Sequence, residues 1–169
     1  MQMLYLFSYL FKKDSFFLFM LFRTHFVFAL FIGLVSFSYF NLNPYLFVFL
    51  VVLCASLIDI DEPKSKIGSR LWILSFPLKF LFGHRKLMHS LFVWGLIGFI
   101  LSLFTDYWIP CLIGFFSHLF LDGLTKGGIN IYPFNFRVNG FLRTGGIIEF
   151  GLFVLLVVFN LFFIWKYLL

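Results

Sequence analysis

Long apolar stretches dominate this chain and decide which class of fold it can adopt. A helix rises about 1.5 Å per residue and a bilayer core is roughly 30 Å thick, so each stretch approaches the length of a transmembrane helix. Hydrophobic residues fill 62% of the 169 positions, and a soluble domain of this size could not bury them. We therefore predict an all-α integral membrane protein with about five transmembrane helices, at 26–40, 44–60, 87–105, 108–124 and 147–167.

The first 22 residues are also apolar, but three charges interrupt them at positions 12–14. Each such charge at mid-membrane costs about 2.5–3.5 kcal/mol on insertion scales. We therefore predict that 1–22 is an interfacial segment or a helix continuing into the first span, and that 23–169 is a single membrane-embedded domain. No small-residue cleavage site follows the first apolar run, so a removed signal peptide is not expected. The segment 71–83, interrupted by a proline and a lysine, is predicted to form a short interfacial or re-entrant helix.

The basic residues are distributed unequally between the two sides of the predicted helices. Twelve of the 13 Lys and Arg residues fall in the N-terminal stretch, the 61–86 loop and the 125–146 loop, and only Lys166 falls on the other side. Cytoplasmic loops carry such an excess. We therefore predict a multi-pass protein of the cytoplasmic or inner membrane, whose N-terminus and two long loops face the cytoplasm beside the lipid bilayer.

The scarce ionisable residues gather at that same predicted membrane face. All four histidines and five of the seven acids lie there, on or beside five different helices. Ionisable groups are costly within a membrane and are therefore candidates for function. The residues are His25, Asp59, Asp61, Glu62, His84, His89, His118, Asp122 and Glu149.

Two spacings favour ligands of a cation. His118 and Asp122 are four residues apart, so they share one helix face and can reach one ion, or can form a helical His–Asp hydrogen bond. Asp59 and Asp61 belong to a group of three acids at a helix C-terminus, where negative charge opposes the helix dipole. A bound divalent cation or the neighbouring lysines and arginine could offset that charge.

The two histidines of the third span are five residues apart. They can reach one site only if His84 lies in the loop and His89 in the first helical turn. Arg85 between them could grip a phosphate or carboxylate, or could snorkel as an interfacial cation. His25 is either a further ligand or a hydrogen-bonded interfacial histidine.

The Gly-rich loop 123–146 is long enough to cap a site at this face. Lys126 and Arg143 could hold an anionic group there or could face anionic lipid. Glu149 follows the loop, and the sequence leaves four roles open for it: metal ligand, general base, hydrogen-bond acceptor behind a ligand, or plain acid at a helix N-terminus.

Taken in order, these motifs resemble the YdjM family of inner-membrane-associated metal-dependent hydrolases, also described as LexA-binding. The resemblance covers residues 24–150 and rests on TH at 24–25, DIDEP at 59–63, HRKLMHS at 84–90, SHLFLDGLTKGG at 117–128, YPF at 132–134 and RTGG at 143–146 with Glu149. It implies that the metal ligands are His25, Asp59, Asp61, His84, His89, His118 and Asp122.

These observations lead to one functional expectation and two alternatives. Mixed imidazole and carboxylate ligands suit Zn, Mn or Fe, as one or two ions, and such ions lower the pKa of bound water. We expect a metal-dependent hydrolase of a phosphoester or lipid-linked substrate at the cytoplasmic face. Arg85, Lys126 or Arg143 would hold the anionic substrate, and Glu149 or another carboxylate would take the proton.

A non-catalytic, metal-stabilised membrane protein that binds a protein partner is the alternative, and the LexA-binding description fits it. Metal transport would require polar residues continuing across the membrane, which the spans largely lack. The sequence has neither GxSxG nor HExxH, and no nucleic-acid motif, so we expect no serine hydrolase, no zincin and no direct nucleic-acid partner.

Overall fold

The computed structural model is mostly helical, and it describes residues 22–61, 65–71, 73, 75, 77, 80, 88–131 and 136–167. The predictions for the N-terminal segment before residue 22, and most of the predicted helix over 71–83, lie outside these residues. The helices are α1 (Phe22–Tyr39), α2 (Pro44–Leu57), α3 (Lys66–Arg70), α4 (Leu91–Ser102), α5 (Trp108–Leu124) and α6 (Ile147–Tyr167), and a 3-10 helix (Ile58–Asp61) extends α2.

Side-chain caps begin several of these helices. The Asn43 side chain accepts a hydrogen bond from the Leu46 amide at 3.0 Å, and Pro44 occupies the first turn of α2, where its missing N–H removes no helical bond. Ser90 caps α4 in the same way through the Val93 amide. Because the last helical residue of α2 is followed directly by a 3-10 turn, the chain tightens where the acids of DIDEP begin.

Helix α5 lies between α2 and α4, and it contacts α2 more extensively than α4. The rings of Trp94 on α4 and Phe115 on α5 stack with their centroids 5.2 Å apart. At the crossing with α2, a Cβ added to Gly114 would collide with the Val51 carbonyl oxygen and lie 3.0 Å from the Ala55 amide nitrogen. The absent side chain therefore allows the backbones of α2 and α5 to approach closely.

Helix α6 packs against α1. Phe31 of α1 packs against Phe159 and Phe163 of α6, with both pairs of ring centroids 6.0 Å apart. Between the same helices the Asn160 side-chain amide donates to the Val27 carbonyl at 2.9 Å. A polar bond in this apolar setting fixes the two helices against each other.

The predicted loop 123–146 contains a small antiparallel hairpin. Strand β1 (Ile129–Ile131) pairs with β2 (Phe136–Val138), with Asn130 opposite Arg137. Gly128 precedes β1 with φ of +63°, a conformation that glycine adopts without strain. The described part of this segment therefore has regular structure and is more than a connector.

Helices occupy all five predicted apolar stretches, but they differ in length. Phe22–Tyr39 and Ile147–Tyr167 are long and apolar enough to cross a membrane, whereas Pro44–Ile60, Leu91–Ser102 and Trp108–Leu124 are shorter apolar helices. The side chains of α6 are largely exposed and apolar, including Phe159, Leu161 and Phe162. Such a surface is suited to lipid and not to water.

The close approach at Gly114 leads to a matched pair of substitutions. We expect Gly114→Ala to lower the stability of the detergent-solubilised protein by about 1–3 kcal/mol, because the added methyl group meets rigid backbone. Gly95→Ala on α4 is the control: no atom lies within 4 Å of its added Cβ, and alanine favours helix over glycine by up to about 1 kcal/mol. Thermal unfolding measures both, and equal effects would contradict the packing described here.

Candidate metal centre

Five ionisable side chains from four segments of the chain meet in the interior. His25 comes from α1, Asp59 from the 3-10 helix after α2, and His89 from the residue before the Ser90 cap of α4. His118 and Asp122 both come from α5. All five residues are buried, and none is more than 8% exposed. We call these five residues the His/Asp centre.

Asp122 connects the three histidines. Its Oδ1 lies 3.2 Å from His25 Nε2, and its Oδ2 lies 3.6 Å from both His89 Nε2 and His118 Nε2. The four-residue spacing places His118 and Asp122 on one face of α5, as the sequence predicts. The carboxylate thus faces imidazoles from three separate segments.

His118 belongs to two groups of ligand atoms. Its Nε2 also lies 3.7 Å from Asp59 Oδ1, and its ring centroid is 4.2 Å from that of His25 and 5.6 Å from that of His89. One group is His25, His118 and Asp122, and the other is Asp59, His89 and His118; within each group the ligand atoms lie within 4.8 Å of one another. Because both groups include His118, the centre is a candidate site for one ion or for two adjacent ions.

The spacing of these atoms fits a cation better than a hydrogen-bond network. Distances of 3.6–3.7 Å are too long for hydrogen bonds, and within the described residues neither ring nitrogen of His118 nor Asp122 Oδ2 has a hydrogen-bond partner. A buried polar group left in this state costs about 1–3 kcal/mol. Donors bound at about 2.1 Å to a tetrahedral ion lie about 3.4 Å apart, so an ion would satisfy His118 Nε2 and Asp122 Oδ2.

Hydrogen bonds behind the centre hold its ligand-bearing segments. The Ser65 hydroxyl donates to the Asp59 carbonyl at 2.7 Å, and the same hydroxyl accepts from the Gly68 amide to cap α3. The Trp94 indole donates to the Met88 carbonyl at 2.8 Å, next to His89 in the chain. Sequence reasoning did not identify Ser65 or Trp94, because their partners are backbone groups that no motif marks.

Glu149 lies behind His25 rather than within the His/Asp centre. It is buried, and its carboxylate accepts hydrogen bonds from the Thr24 hydroxyl at 2.9 Å and from the Gly145 amide. Thr24 immediately precedes His25 on α1, so these bonds tie the start of α6 and the turn before it to the His25 segment. Of the four roles open for Glu149, its contacts favour that of hydrogen-bond acceptor behind a ligand.

The loop before α6 contacts the His25 side of the centre. Leu142 and Thr144 line a small cleft together with His25 and Glu149. Lys126 and Arg143, predicted to bind substrate, are exposed on this loop. The structure therefore places part of the loop beside His25 and leaves the two cations at the surface.

The structure brings together five of the seven predicted ligands, His25, Asp59, His89, His118 and Asp122. Asp61 ends the 3-10 helix, but its side chain lies outside the described part of the chain. His84 and Arg85 also lie outside the described residues, so their predicted roles stay predictions.

Comparison with known proteins places the chain among membrane proteins. The family model described as YdjM inner membrane protein matches residues 20–168. The chain is 37% identical over 95 residues to the inner membrane protein YdjM of Escherichia coli (strain K12) and to that of Shigella flexneri, covering 51% of this chain and 48% of each relative. It is 34% identical over 121 residues to the uncharacterized protein YvsG of Bacillus subtilis (strain 168), covering 66% of this chain and 73% of that protein.

The chain thus spans about half the length of the two YdjM proteins it matches. No solved structure matches it.

A double-mutant cycle tests the bond between Thr24 and Glu149. We expect Thr24→Val and Glu149→Ala to be coupled by about 0.5–3 kcal/mol in unfolding free energy, because each removes one partner of the same buried hydrogen bond. Asp106→Ala, at an exposed acid before α5, should instead add to Thr24→Val without coupling. Additive effects in both cycles would show that the Thr24–Glu149 bond does not form in solution.

Proposed function

The chain belongs to the YdjM inner membrane protein family, and from this membership together with the His/Asp centre we propose that it is a membrane-bound metal-dependent hydrolase. The substrate is a phosphoester or a lipid-linked molecule. Reaction takes place at the cytoplasmic membrane face. The cofactor is one or two divalent ions of Zn, Mn or Fe.

The single observation that carries this proposal is the state of His118. The side chain is buried, its two ring nitrogens make no hydrogen bond among the described residues, and Asp59 and Asp122 face it with carboxylate oxygens. A histidine with a purely structural role would ordinarily have its nitrogens hydrogen-bonded. Imidazole and carboxylate donors together favour a transition metal over Ca²⁺.

The residues of the centre have distinct parts in the proposed reaction. His25, Asp59, His89, His118 and Asp122 hold the cation, with Asp61 and His84 as further ligands. When bound, such a cation acts as a Lewis acid and lowers the pKa of a bound water molecule to about 7. Glu149 keeps the His25 segment in place through Thr24, and Arg85, Lys126 and Arg143 attract the anionic substrate.

The proposed topology has five transmembrane helices with the centre near the cytoplasmic surface. Twelve of the 13 basic residues then lie on the cytoplasmic side, as membrane insertion favours. The three shorter helices, α2, α4 and α5, each carry ligands at or beside one end. They can therefore reach the membrane surface on the side of the centre without carrying the buried charges to mid-membrane.

A non-catalytic, metal-stabilised binding protein is the second candidate, and one observation favours it. The centre joins α1, α4, α5 and the end of α2, so a bound ion would cross-link most of the bundle. Such an ion could stabilise the fold without any turnover. Metal content and activity must therefore be measured separately.

The first test is the metal content of the purified protein. We expect about one or two equivalents of a transition metal per chain in the wild type, and a loss of most of it in Asp122→Ala, because Asp122 faces all three histidines. Asp106→Ala removes an exposed acid and should keep the metal. A folded wild type that takes up no metal would end both candidate functions.

The second test separates hydrolase from metal-stabilised scaffold. We expect the metal-loaded protein to hydrolyse a phosphoester such as bis(4-nitrophenyl) phosphate or a long-chain phosphatidic acid. Glu149→Gln should retain the metal and lose about 10–100-fold in turnover, since residues behind the ligands tune a metal site. Asp106→Asn, at an exposed acid, is the matched control and should keep both metal and turnover. If the metal-loaded wild type turns over neither substrate, the result supports the metal-stabilised binding protein.

A further inference from the structure

The two oxygens of Asp122 face different imidazoles. Its Oδ2 lies 3.6 Å from the Nε2 atoms of both His89 and His118, whereas its Oδ1 lies 3.2 Å from His25 Nε2. A carboxylate can bind a separate cation through each of its oxygens, and two-metal sites hold their ions a short distance apart. The arrangement therefore provides two positions for a cation, one beside each oxygen of Asp122.

The position beside Oδ2 is faced by four protein donors, and we call it the inner position. Asp59 Oδ1 lies 3.7 Å from His118 Nε2, and the ligand atoms of Asp59, His89 and His118 lie within 4.8 Å of one another. With Asp122 Oδ2 they make two imidazole nitrogens and two carboxylate oxygens. Four donors complete a tetrahedral site, so the protein alone can enclose an ion here.

The position beside Oδ1 has fewer donors among the described residues, and we call it the outer position. It is faced by His25 Nε2 and Asp122 Oδ1. His118 also lies within 4.8 Å of this pair, but its Nε2 faces Asp59 and Asp122 Oδ2. An ion with so few protein donors is held less tightly, and it keeps places for water or a substrate oxygen, as catalytic metal sites do.

The small cleft at the loop before α6 reaches the outer position and not the inner one. Of the five residues of the His/Asp centre, only His25 lines this cleft. Thr125 and Thr144 also line it and are partly exposed, so the cleft extends from the surface to His25. Its volume of about 10 Å³ is room for about one water molecule. In the described part of the chain, solvent therefore approaches the centre from the side of the outer position.

We propose that the His/Asp centre binds two divalent cations bridged by Asp122, a tightly held ion at the inner position and an exchangeable ion at the outer position. The inference rests on the proposed hydrolase function and specifies its substrate class and its regulation. Pairs of adjacent ions are typical of enzymes that act on phosphoesters, so the substrate is a phosphoester. Because the outer ion exchanges, the fully loaded state follows the free concentration of the metal.

The number of bound ions tests this proposal. Protein purified in detergent with Mn²⁺ is dialysed against graded concentrations of free Mn²⁺, and bound Mn²⁺ per folded chain is counted. We expect the wild type to bind two ions, the second at least about tenfold more weakly than the first, because it has fewer protein donors. His25→Ala should keep the tight ion and lose the weak one, and the exposed-site control Asp106→Ala should keep both.

A second pair of variants changes the outer position without removing a ligand. Thr24→Val breaks the hydrogen bond to Glu149 that supports the His25 segment, whereas Thr24→Ser retains a hydroxyl for it. We expect Thr24→Val to weaken only the second ion, by about 10-fold or more, and Thr24→Ser to restore it. A purely structural role for Thr24 would lower thermal stability and leave the ratio of the two affinities unchanged, which would contradict the proposal.

Electron paramagnetic resonance of the same samples tests whether Asp122 bridges the ions. Two Mn²⁺ ions about 3.5–4 Å apart couple their spins, so the saturated wild type should give a coupled spectrum and His25→Ala that of an isolated ion. Two bound ions without coupling would overturn the bridge. One ion in the wild type, or two in His25→Ala, would refute this inference and leave the proposed function in place, whereas a folded protein without metal would end both.

Discussion

The rest of the site depends on the contacts between the buried carboxylate of Asp122 and three imidazoles. Its two oxygens face His25, His89 and His118, which reach it from three segments of the chain. A buried charge of this kind is tolerated only when it is paired or coordinates a cation. The fold must therefore bring all these groups to one point, and the packing of the bundle serves that requirement.

That packing is organised by α5, which carries two ligands and contacts both α2 and α4. The close crossing at Gly114 sets how near α2 lies, and α2 leads directly into Asp59. The Trp94 indole holds the Met88 carbonyl and thereby the segment of His89. Asp59 and His89 are thus each supported by a helix contact or a hydrogen bond outside the His/Asp centre, as a precise metal site would require.

The sequence predicts the helices and much of the site because those signals are local. The apolar stretches give the helices, and the spacing of His118 and Asp122 gives their shared face. The hairpin was missed because three-residue strands show too little alternation to be recognised. The bonds from Ser65, Trp94 and Thr24 were missed because they join residues through tertiary contact or to backbone atoms, and no spacing marks them.

The pairing of α6 with α1 has a consequence for how the protein is made. Glu149 and Asn160 lie about three turns apart on α6, and both bond to α1, at Thr24 and Val27. Helix α6 follows every ligand-bearing segment in the chain, so during synthesis it leaves the ribosome after all of them. Until α6 docks, α1 lacks both of these anchors. The segment that carries His25 therefore gains these two supports only after α6, the last of these helices in the chain, has been made.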